Sequence, residues 1–138
     1  MALARFIAEL FVRFRTSPDR QGLGKEAEAL AERYLKLKGY RILARNWRTR
    51  LGEIDLIAER GDTLVFIEVK ARRKLTHGLP EEAVNPAKQK KLLTLARTYL
   101  SSYAGRAKRV RFDVIALDFS GKKPCIRHLE GVIEDGGT

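Results

Sequence analysis

The chain has 138 residues, which suits one domain, and its 44% hydrophobic and 33% charged residues are typical of a soluble globular protein with a buried core. Its 28 basic and 17 acidic residues give a formal net charge of +11, which favours a polyanionic partner, nucleic acid before an anionic membrane surface. The single cysteine, Cys125, excludes an intrachain disulfide and a cysteine-based zinc site and favours a reducing compartment such as the bacterial cytoplasm.

Residues 1–15 are predicted to form an amphipathic helix, because apolar residues recur there at helical spacing. Arg5, Glu9 and Arg13 interrupt every apolar run, so the segment is neither a signal peptide nor a membrane span. The polar residues 16–23 then predict a linker, which makes the first helix an appendage that docks on the domain, on a second copy or on a membrane surface. We favour docking over a membrane role.

The main domain is predicted at residues 24–129, with a tail at 130–138. The apolar period changes from 3.6 to 2 after Gly39, and Asn85-Pro86 is typical of the start of a later helix. The predicted elements are a helix over 24–38, strands over 40–47, 52–59 and 63–72, a helix over 85–103, and strands over 110–118 and 125–129. Two strands carry apolar residues on both faces, which predicts an α/β fold with a central sheet flanked by helices on both faces.

Three ionisable residues interrupt otherwise apolar strands: Asp55, Glu68 and Lys70. Such residues are disfavoured inside strands and rarely buried without a partner. The Gly61-Asp62 pair between the two strands is typical of a two-residue hairpin loop, which makes the numbers of paired residues sum to 123 and sets Asp55 opposite Glu68. Directly opposed side chains have Cβ atoms about 4.5–5.5 Å apart, so the carboxylates should repel and raise one pKa unless a cation lies between them.

A divalent cation would remove this repulsion, since Mg²⁺ takes one or two carboxylates together with water and substrate phosphate. The period of two places Lys70 on the same face, within reach of a metal-bound water or of the phosphate under attack. This combination favours a phosphodiester hydrolase in which Lys70 orients the nucleophile and stabilises the transition state. The alternative is a cross-strand ladder of salt bridges, with Glu53 opposite Lys70 and Asp55 paired with an arginine.

A longer set of residues carries a resemblance to a known family. These residues are Glu28, Ala31, Tyr34-Leu35, Gly39-Tyr40, Asn46, Arg48, Gly52-Glu53-Ile54-Asp55-Leu56-Ile57, Phe66-Ile67-Glu68-Val69-Lys70-Ala71-Arg72, Ala83-Val84, Lys88-Gln89, Tyr99-Leu100 and Arg111-Phe112-Asp113. Over residues 22–120 the chain resembles the YraN-like family of small bacterial proteins. That family is similar to the archaeal Holliday-junction resolvases of the restriction-endonuclease-like, PD-(D/E)xK, superfamily.

The resemblance implies a restriction-endonuclease-like core with a mixed sheet, and a Mg²⁺- or Mn²⁺-dependent endodeoxyribonuclease acting on branched or damaged DNA in repair or recombination. It adds Glu28 as a catalytic and metal-binding acid on the helix, with Glu26 as its competitor. The backbone carbonyl of Val69 would be a further metal ligand beside Asp55 and Glu68. Many relatives have glycine immediately before the helical acid, where this chain has alanine.

Five residues are expected to contact nucleic acid around this centre: Arg48, Arg72, Lys88, Gln89 and Lys91. For each of them the alternative is an ordinary solvated surface. DNA is favoured over RNA, and a homodimer would suit an enzyme that cuts two strands. The alternative function is a nucleic-acid-binding module that keeps the nuclease scaffold without turnover.

Four further residues are not assigned to the catalytic centre: Trp47 and Asp113 are interpreted as structural, and the two histidines as structural or surface residues. Trp47 is assigned to the core rather than to base stacking. His77 and His128 show no ligand spacing, and Asp113 is expected to form a core hydrogen bond or to pair with an arginine rather than bind metal.

Overall fold

A computed structural model describes the backbone of residues 20–72 and 86–133 and, apart from residues 20–23, 86 and 88, their side chains. The predicted N-terminal helix, residues 16–19 of the linker, most of the C-terminal tail and the loop that contains His77 therefore lie outside the described residues.

The helices and strands are, in chain order, α1 (Arg20–Leu37), β1 (Arg41–Thr49), β2 (Gly52–Arg60), β3 (Thr63–Arg72), α2 (Pro86–Leu100), β4 (Arg109–Asp118) and β5 (Cys125–Leu129). The strands form one sheet in the order β1-β2-β3-β4-β5. Neighbouring strands are antiparallel except β3 and β4, which are parallel because α2 lies in the connection between them. The predicted mixed sheet is confirmed.

The two helices cover opposite faces of this sheet. Residues of α1 pack in one core cluster, which contains Ala27, Ala31, Leu35, Leu56, Ala58, Val65, Ile67, Val69, Ile115 and Leu117. Residues of α2 pack in the other, which contains Leu95, Ala96, Ile54, Ile57, Leu64, Phe66 and Phe112, with Trp47 half-buried against it. The predicted three-layer α/β fold is therefore confirmed, as is the assignment of Trp47 to the core.

The helix ends differ from the predicted ones for identifiable reasons. Helix α1 begins at Arg20, so residues 20–23 of the predicted linker are helical. Gly22 and Gly24 lower the local helix propensity by about 1 kcal/mol each, which weakens this turn without ending the helix. Helix α2 ends at Leu100, before the predicted Tyr103. The Tyr103 hydroxyl donates to Glu59 and accepts a backbone N–H from residue 107, contacts that draw the chain away from the helix axis.

The hairpin between β2 and β3 has the register that its turn predicts. Five pairs run from Arg60–Thr63 to Leu56–Ile67, and each pair of numbers sums to 123. The backbone ladder between these strands ends there, although β3 remains paired with β4 as far as Arg72. Strand β1 is irregular as well, with a register shift between Ile42 and Ala44.

Neither α1 nor α2, the helices of the described chain, combines the length and the apolar character that a membrane crossing requires.

Candidate metal centre

Asp55 lies where the ladder between β2 and β3 ends. Its Oδ2 atom accepts a hydrogen bond from the backbone N–H of Val69 at 2.8 Å, and the residue is only 6% exposed. The last backbone pair of the hairpin is Leu56–Ile67, so Asp55 and Glu68 do not form the ladder pair that the turn predicts. The cause is the carboxylate itself, which takes up the N–H beside Glu68 in place of a backbone carbonyl.

Glu68 and Lys70 project from the same face of β3, two residues apart. Lys70 is 3% exposed, and its Nζ atom lies 2.5 Å from Oε1 of the half-buried Glu68. In the alternative salt-bridge ladder Lys70 would pair with Glu53, but Glu53 pairs instead with Arg48 of β1, at 2.9 Å. Lys70 therefore contacts a carboxylate of its own strand, β3.

The carboxyl group of Asp55 has the most perturbed acidity in this region. Burial, together with the charges of Glu68 and Glu28, raises the pKa of Asp55 to about 8. The Val69 N–H and the Lys70 ammonium oppose this rise without cancelling it. The pKa increase expected for closely spaced carboxylates is thus present, although burial contributes more to it than the neighbouring charge does.

Glu28 reaches this region from the opposite side, on helix α1. Burial raises the pKa of Glu28, and the nearby charges of Glu53 and Glu68 act in the same direction, while a hydrogen bond with the Asn46 side chain lowers it. Glu26, two residues earlier on the helix, is exposed. Of the two acids between which the sequence left the choice open, Glu28 is therefore the one beside Glu68.

The chemistry of these donors fits a small divalent cation. Glu28, Asp55 and Glu68 offer carboxylate oxygens, and the carbonyl of Val69 would add a neutral oxygen, a set that suits Mg²⁺ or Mn²⁺. Burial together with mutual repulsion raises the pKa of two of these acids, as expected where negative charge exceeds the local positive charge. Lys70 supplies one cationic group within this cluster.

The donors stand further apart than in a closed metal site. Within the described part of the chain, one set of three metal-ligating side chains has its donor atoms within 4.8 Å of one another, namely Asp113, His128 and Glu130. A cation held by Glu28, Asp55 and Glu68 together would therefore draw these three carboxylates closer and keep water in its remaining positions.

The set around Asp113 is a completed ion network. Both oxygens of Asp113 accept hydrogen bonds from Arg111 at 2.9 Å, and the N–H of Gly131 adds a third at 3.0 Å. His128 has Nε2 at 2.7 Å from Asp113 and Nδ1 at 3.1 Å from the hydroxyl of Tyr34. A cation would have to displace a guanidinium and both imidazole contacts, so the structural roles predicted for Asp113 and His128 are confirmed.

Two of the predicted nucleic-acid contacts lie beside the start of β2. Arg48 is exposed and pairs with Glu53. Lys91 of α2 is also exposed, and its Cε atom lies 3.1 Å from the position that a Cβ would occupy on Gly52. The missing side chain of Gly52 therefore allows Lys91 to approach the same end of β2 that carries Asp55.

The other predicted contacts are more dispersed. Arg72 is the last residue of β3 and is half-buried. It lies near Asp118: hydrogen bonds from Ser120 lower the pKa of Asp118, and the charge of Arg72 lowers it further. Gln89 is half-buried in the first turn of α2, and the side chain of Lys88 lies outside the described residues.

Comparison with known proteins identifies the family. The sequence model described as "Uncharacterised protein family UPF0102" matches residues 27–117, which include most of α1, all of β1 to β3 and α2, and most of β4. The chain belongs to the UPF0102 family.

Relatives carry the same family name. A UPF0102 protein of Anaeromyxobacter dehalogenans is 41% identical over 118 residues, which cover 86% of this chain and 88% of the relative. One of Rhodococcus opacus is 49% identical over 108 residues, covering 78% of this chain and 92% of the relative. Among solved structures, SfsA of Pyrococcus furiosus in complex with Ca²⁺ matches with a TM-score of 0.39 and 21% identity, over 78% of this chain and 62% of that one.

Two residues of this UPF0102 centre were not predicted to take part in it. Glu53 entered only the alternative ladder of salt bridges, opposite Lys70, yet its charge acts on Glu28. Asn46 had no assigned role, although asparagine is disfavoured in strands and is among the residues that most readily adopt positive φ. The residue type at position 46 was the hint that the sequence offered. The interaction with Glu28 itself joins β1 to α1, and sequence patterns are interpreted one element at a time.

Proposed function

We propose that this chain is a divalent-metal-dependent endonuclease that hydrolyses phosphodiester bonds in DNA. The observation that carries the proposal is the buried carboxyl of Asp55, whose pKa is raised to about 8 beside Glu68, Lys70 and Glu28. A strand interior does not tolerate such a group without a function or a counter-ion. A hard cation provides that counter-ion, and a phosphodiester is the substrate such a cation serves with a lysine beside it.

Each residue of the centre has a distinct role in this proposal. The Val69 N–H fixes the orientation of Asp55, and Asp55, Glu68 and Glu28 hold the cation. When Mg²⁺ or Mn²⁺ is bound, it lowers the pKa of a water ligand and offsets the charge of the scissile phosphate. Lys70, released from Glu68, donates a hydrogen bond to the attacking oxygen or to a phosphate oxygen and stabilises charge in the transition state.

The surroundings support a polyanionic substrate. Lys91 and Arg48 flank the end of β2 that leads to Asp55, and the whole chain has a net charge of +11. The resemblance to archaeal Holliday-junction resolvases of the PD-(D/E)xK superfamily favours branched or damaged DNA as the substrate, in the cytoplasm. A homodimer would place one such centre on each of the two DNA strands.

One observation favours a second candidate, a nucleic-acid-binding module without turnover. Lys70 already neutralises Glu68 at 2.5 Å, and the three carboxylates of Glu28, Asp55 and Glu68 do not form a set whose donor atoms all lie within 4.8 Å of one another. If that arrangement persists in the presence of metal, the centre is a buried ion cluster and the basic rim alone would bind DNA.

The deciding experiment assays the purified full chain on linear, nicked, single-stranded and four-way-junction DNA, with Mg²⁺, with Mn²⁺ and with a chelator. Wild type should cut at least one substrate only when metal is present, and Asp55→Ala and Glu68→Ala should each abolish cleavage with the fold retained. The matched pair Glu28→Gln and Glu26→Gln assigns the helical acid, because only the former lies beside the centre. Metal-dependent cleavage that survives both alanine substitutions would overturn the proposal, and calorimetry showing no Mn²⁺ binding would favour the binding module.

A further inference from the structure

Asn46 has an unusual backbone for a strand residue. Its φ is +50°, and within the described residues every other positive φ belongs to a glycine. An L residue in this left-handed region is strained unless its surroundings hold it there, and such residues cluster at functional sites. The register Arg45–Leu56 and Trp47–Ile54 brackets Asn46, so it lies across from Asp55 on the neighbouring strand. The distortion of β1 therefore occurs at the level of the candidate metal centre.

The side chain of Asn46 contacts that centre. Asn46 is exposed, yet its side chain is near enough to α1 for hydrogen bonding to lower the pKa of the Glu28 carboxylate. The other groups that act on Glu28 are the negative charges of Glu53 and Glu68. Asn46 thus brings a neutral donor to a carboxylate whose other close neighbours repel it.

We propose that Asn46 is a positioning residue, whose left-handed backbone directs its side-chain amide to Glu28 and holds that carboxylate towards Asp55 and Glu68. This inference rests on the proposed function and deepens it, because it names the outer partner of the helical metal ligand. Partners that orient metal ligands through hydrogen bonds typically change metal affinity by about 10- to 100-fold when they are removed.

A purely structural role for Asn46 makes a different prediction. If the residue is needed only because it tolerates positive φ, then glycine should replace it fully, since glycine adopts this conformation without strain. Asn46→Gly keeps the backbone and removes the amide, and it therefore separates the two roles without endangering the fold.

The test is calorimetric titration of the full chain with Mn²⁺, for wild type, Asn46→Gly, Glu28→Gln and the double variant, with thermal unfolding measured on each. We expect Asn46→Gly to unfold no earlier than wild type and to bind Mn²⁺ about 10-fold more weakly. In the double variant, affinity should equal that of Glu28→Gln alone, because Asn46 acts through Glu28.

A metal-independent measurement accompanies the titration. The side-chain amide resonances of Asn46 should shift in Glu28→Gln and remain in place in Glu26→Gln, whose acid is exposed. Unchanged Mn²⁺ affinity in Asn46→Gly, or additive losses in the double variant, would overturn the inference while leaving the proposed function intact. Absence of Mn²⁺ binding by wild type would overturn both.

Discussion

The carboxylate of Asp55 accepts the backbone N–H of Val69 at 2.8 Å, immediately beyond the last backbone pair of the β2–β3 hairpin. A side chain thus completes the hydrogen bonding of a strand, and it does so in the interior, where Asp55 is 6% exposed. The contact fixes the orientation of the carboxylate, but burial and the charge of Glu68 still raise its pKa to about 8. Acidity and stability are therefore linked at this residue.

The first prediction concerns pH. Because the pKa of Asp55 is raised in the folded state, the folded chain retains a proton that the unfolded chain loses above about pH 4. The stability of the metal-free protein should therefore fall as pH rises from about 5 to about 8, by on the order of 1.4 kcal/mol per pH unit where the dependence is steepest. Urea unfolding over this range measures it. Asp55→Asn should remove most of this dependence of the free energy of unfolding on pH.

Asp62→Asn is the matched control for this series, because Asp62 lies in the hairpin turn with its side chain 57% exposed. It should leave the pH dependence as in wild type. An Asp55→Asn variant with an unaltered slope would assign the effect to other groups.

The second prediction distinguishes the role of Lys70 from the roles of the acidic residues around it. Lys70 holds Glu68 at 2.5 Å in the absence of metal, so its ammonium competes with a cation for that carboxylate. Lys70→Met should therefore bind Mn²⁺ more tightly than wild type while cleaving DNA at least about 100-fold more slowly, since removing a single transition-state donor has effects of this size. Calorimetry and initial cleavage rates measure the two effects.

Glu68→Gln is the comparison variant, and it should lose both metal affinity and activity. If Lys70→Met weakens Mn²⁺ binding as much as Glu68→Gln does, Lys70 supports the metal centre rather than competing with it.

The third prediction concerns the basic rim. Lys91 packs against Gly52 and remains exposed beside the candidate centre. Lys91→Gln should weaken DNA binding similarly for all DNA sequences. It should also reduce the slope of log affinity against log salt concentration by about one, the amount expected for one lost phosphate contact. Lys108→Gln is the control, because Lys108 is exposed beside the Asp62 turn, at the other end of the sheet. Equal losses in both variants would indicate only an unspecific effect of net charge.

The fourth prediction concerns the ion network of β4. Asp113 is fully buried and accepts hydrogen bonds from Arg111 and Gly131, with His128 at 2.7 Å. Although burial opposes it, these hydrogen bonds lower the pKa of Asp113. Asp113→Ala should reduce the free energy of unfolding by about 1–3 kcal/mol, because it leaves the partly exposed Arg111 guanidinium and the His128 ring without the carboxylate that they share.

Urea unfolding measures this loss, with Asp62→Ala as the exposed counterpart. A loss below about 1 kcal/mol for Asp113→Ala would mean that the network contributes no more than a surface ion pair does.

Much of the fold followed from local patterns in the sequence. The bounds of β3 and β5 were predicted to the residue, because each is a short run of strand-forming residues bounded in the sequence by polar segments. The Gly61-Asp62 turn also predicted the register of the hairpin, since a two-residue loop determines every pair that follows. Local rules sufficed where a local interaction determines the geometry.

The details of the candidate centre depended on contacts between distant elements. The end of the ladder at Leu56–Ile67 results from the Asp55 side chain, which no turn rule anticipates. The choice between Glu26 and Glu28 required the rotation of α1 on the sheet, and the positive φ of Asn46 required its partner on that helix. These features could not be predicted from any one segment.

Strand β1 forms an edge of the sheet, and its pairing is interrupted by the shift between Ile42 and Ala44 and by the left-handed Asn46. An exposed edge with a regular backbone is a template on which a second molecule can add a strand and begin to aggregate. Bulges and bends of this kind remove the straight row of N–H and C=O groups that such addition requires. The distortion beside Glu28 therefore also protects the protein from uncontrolled self-association.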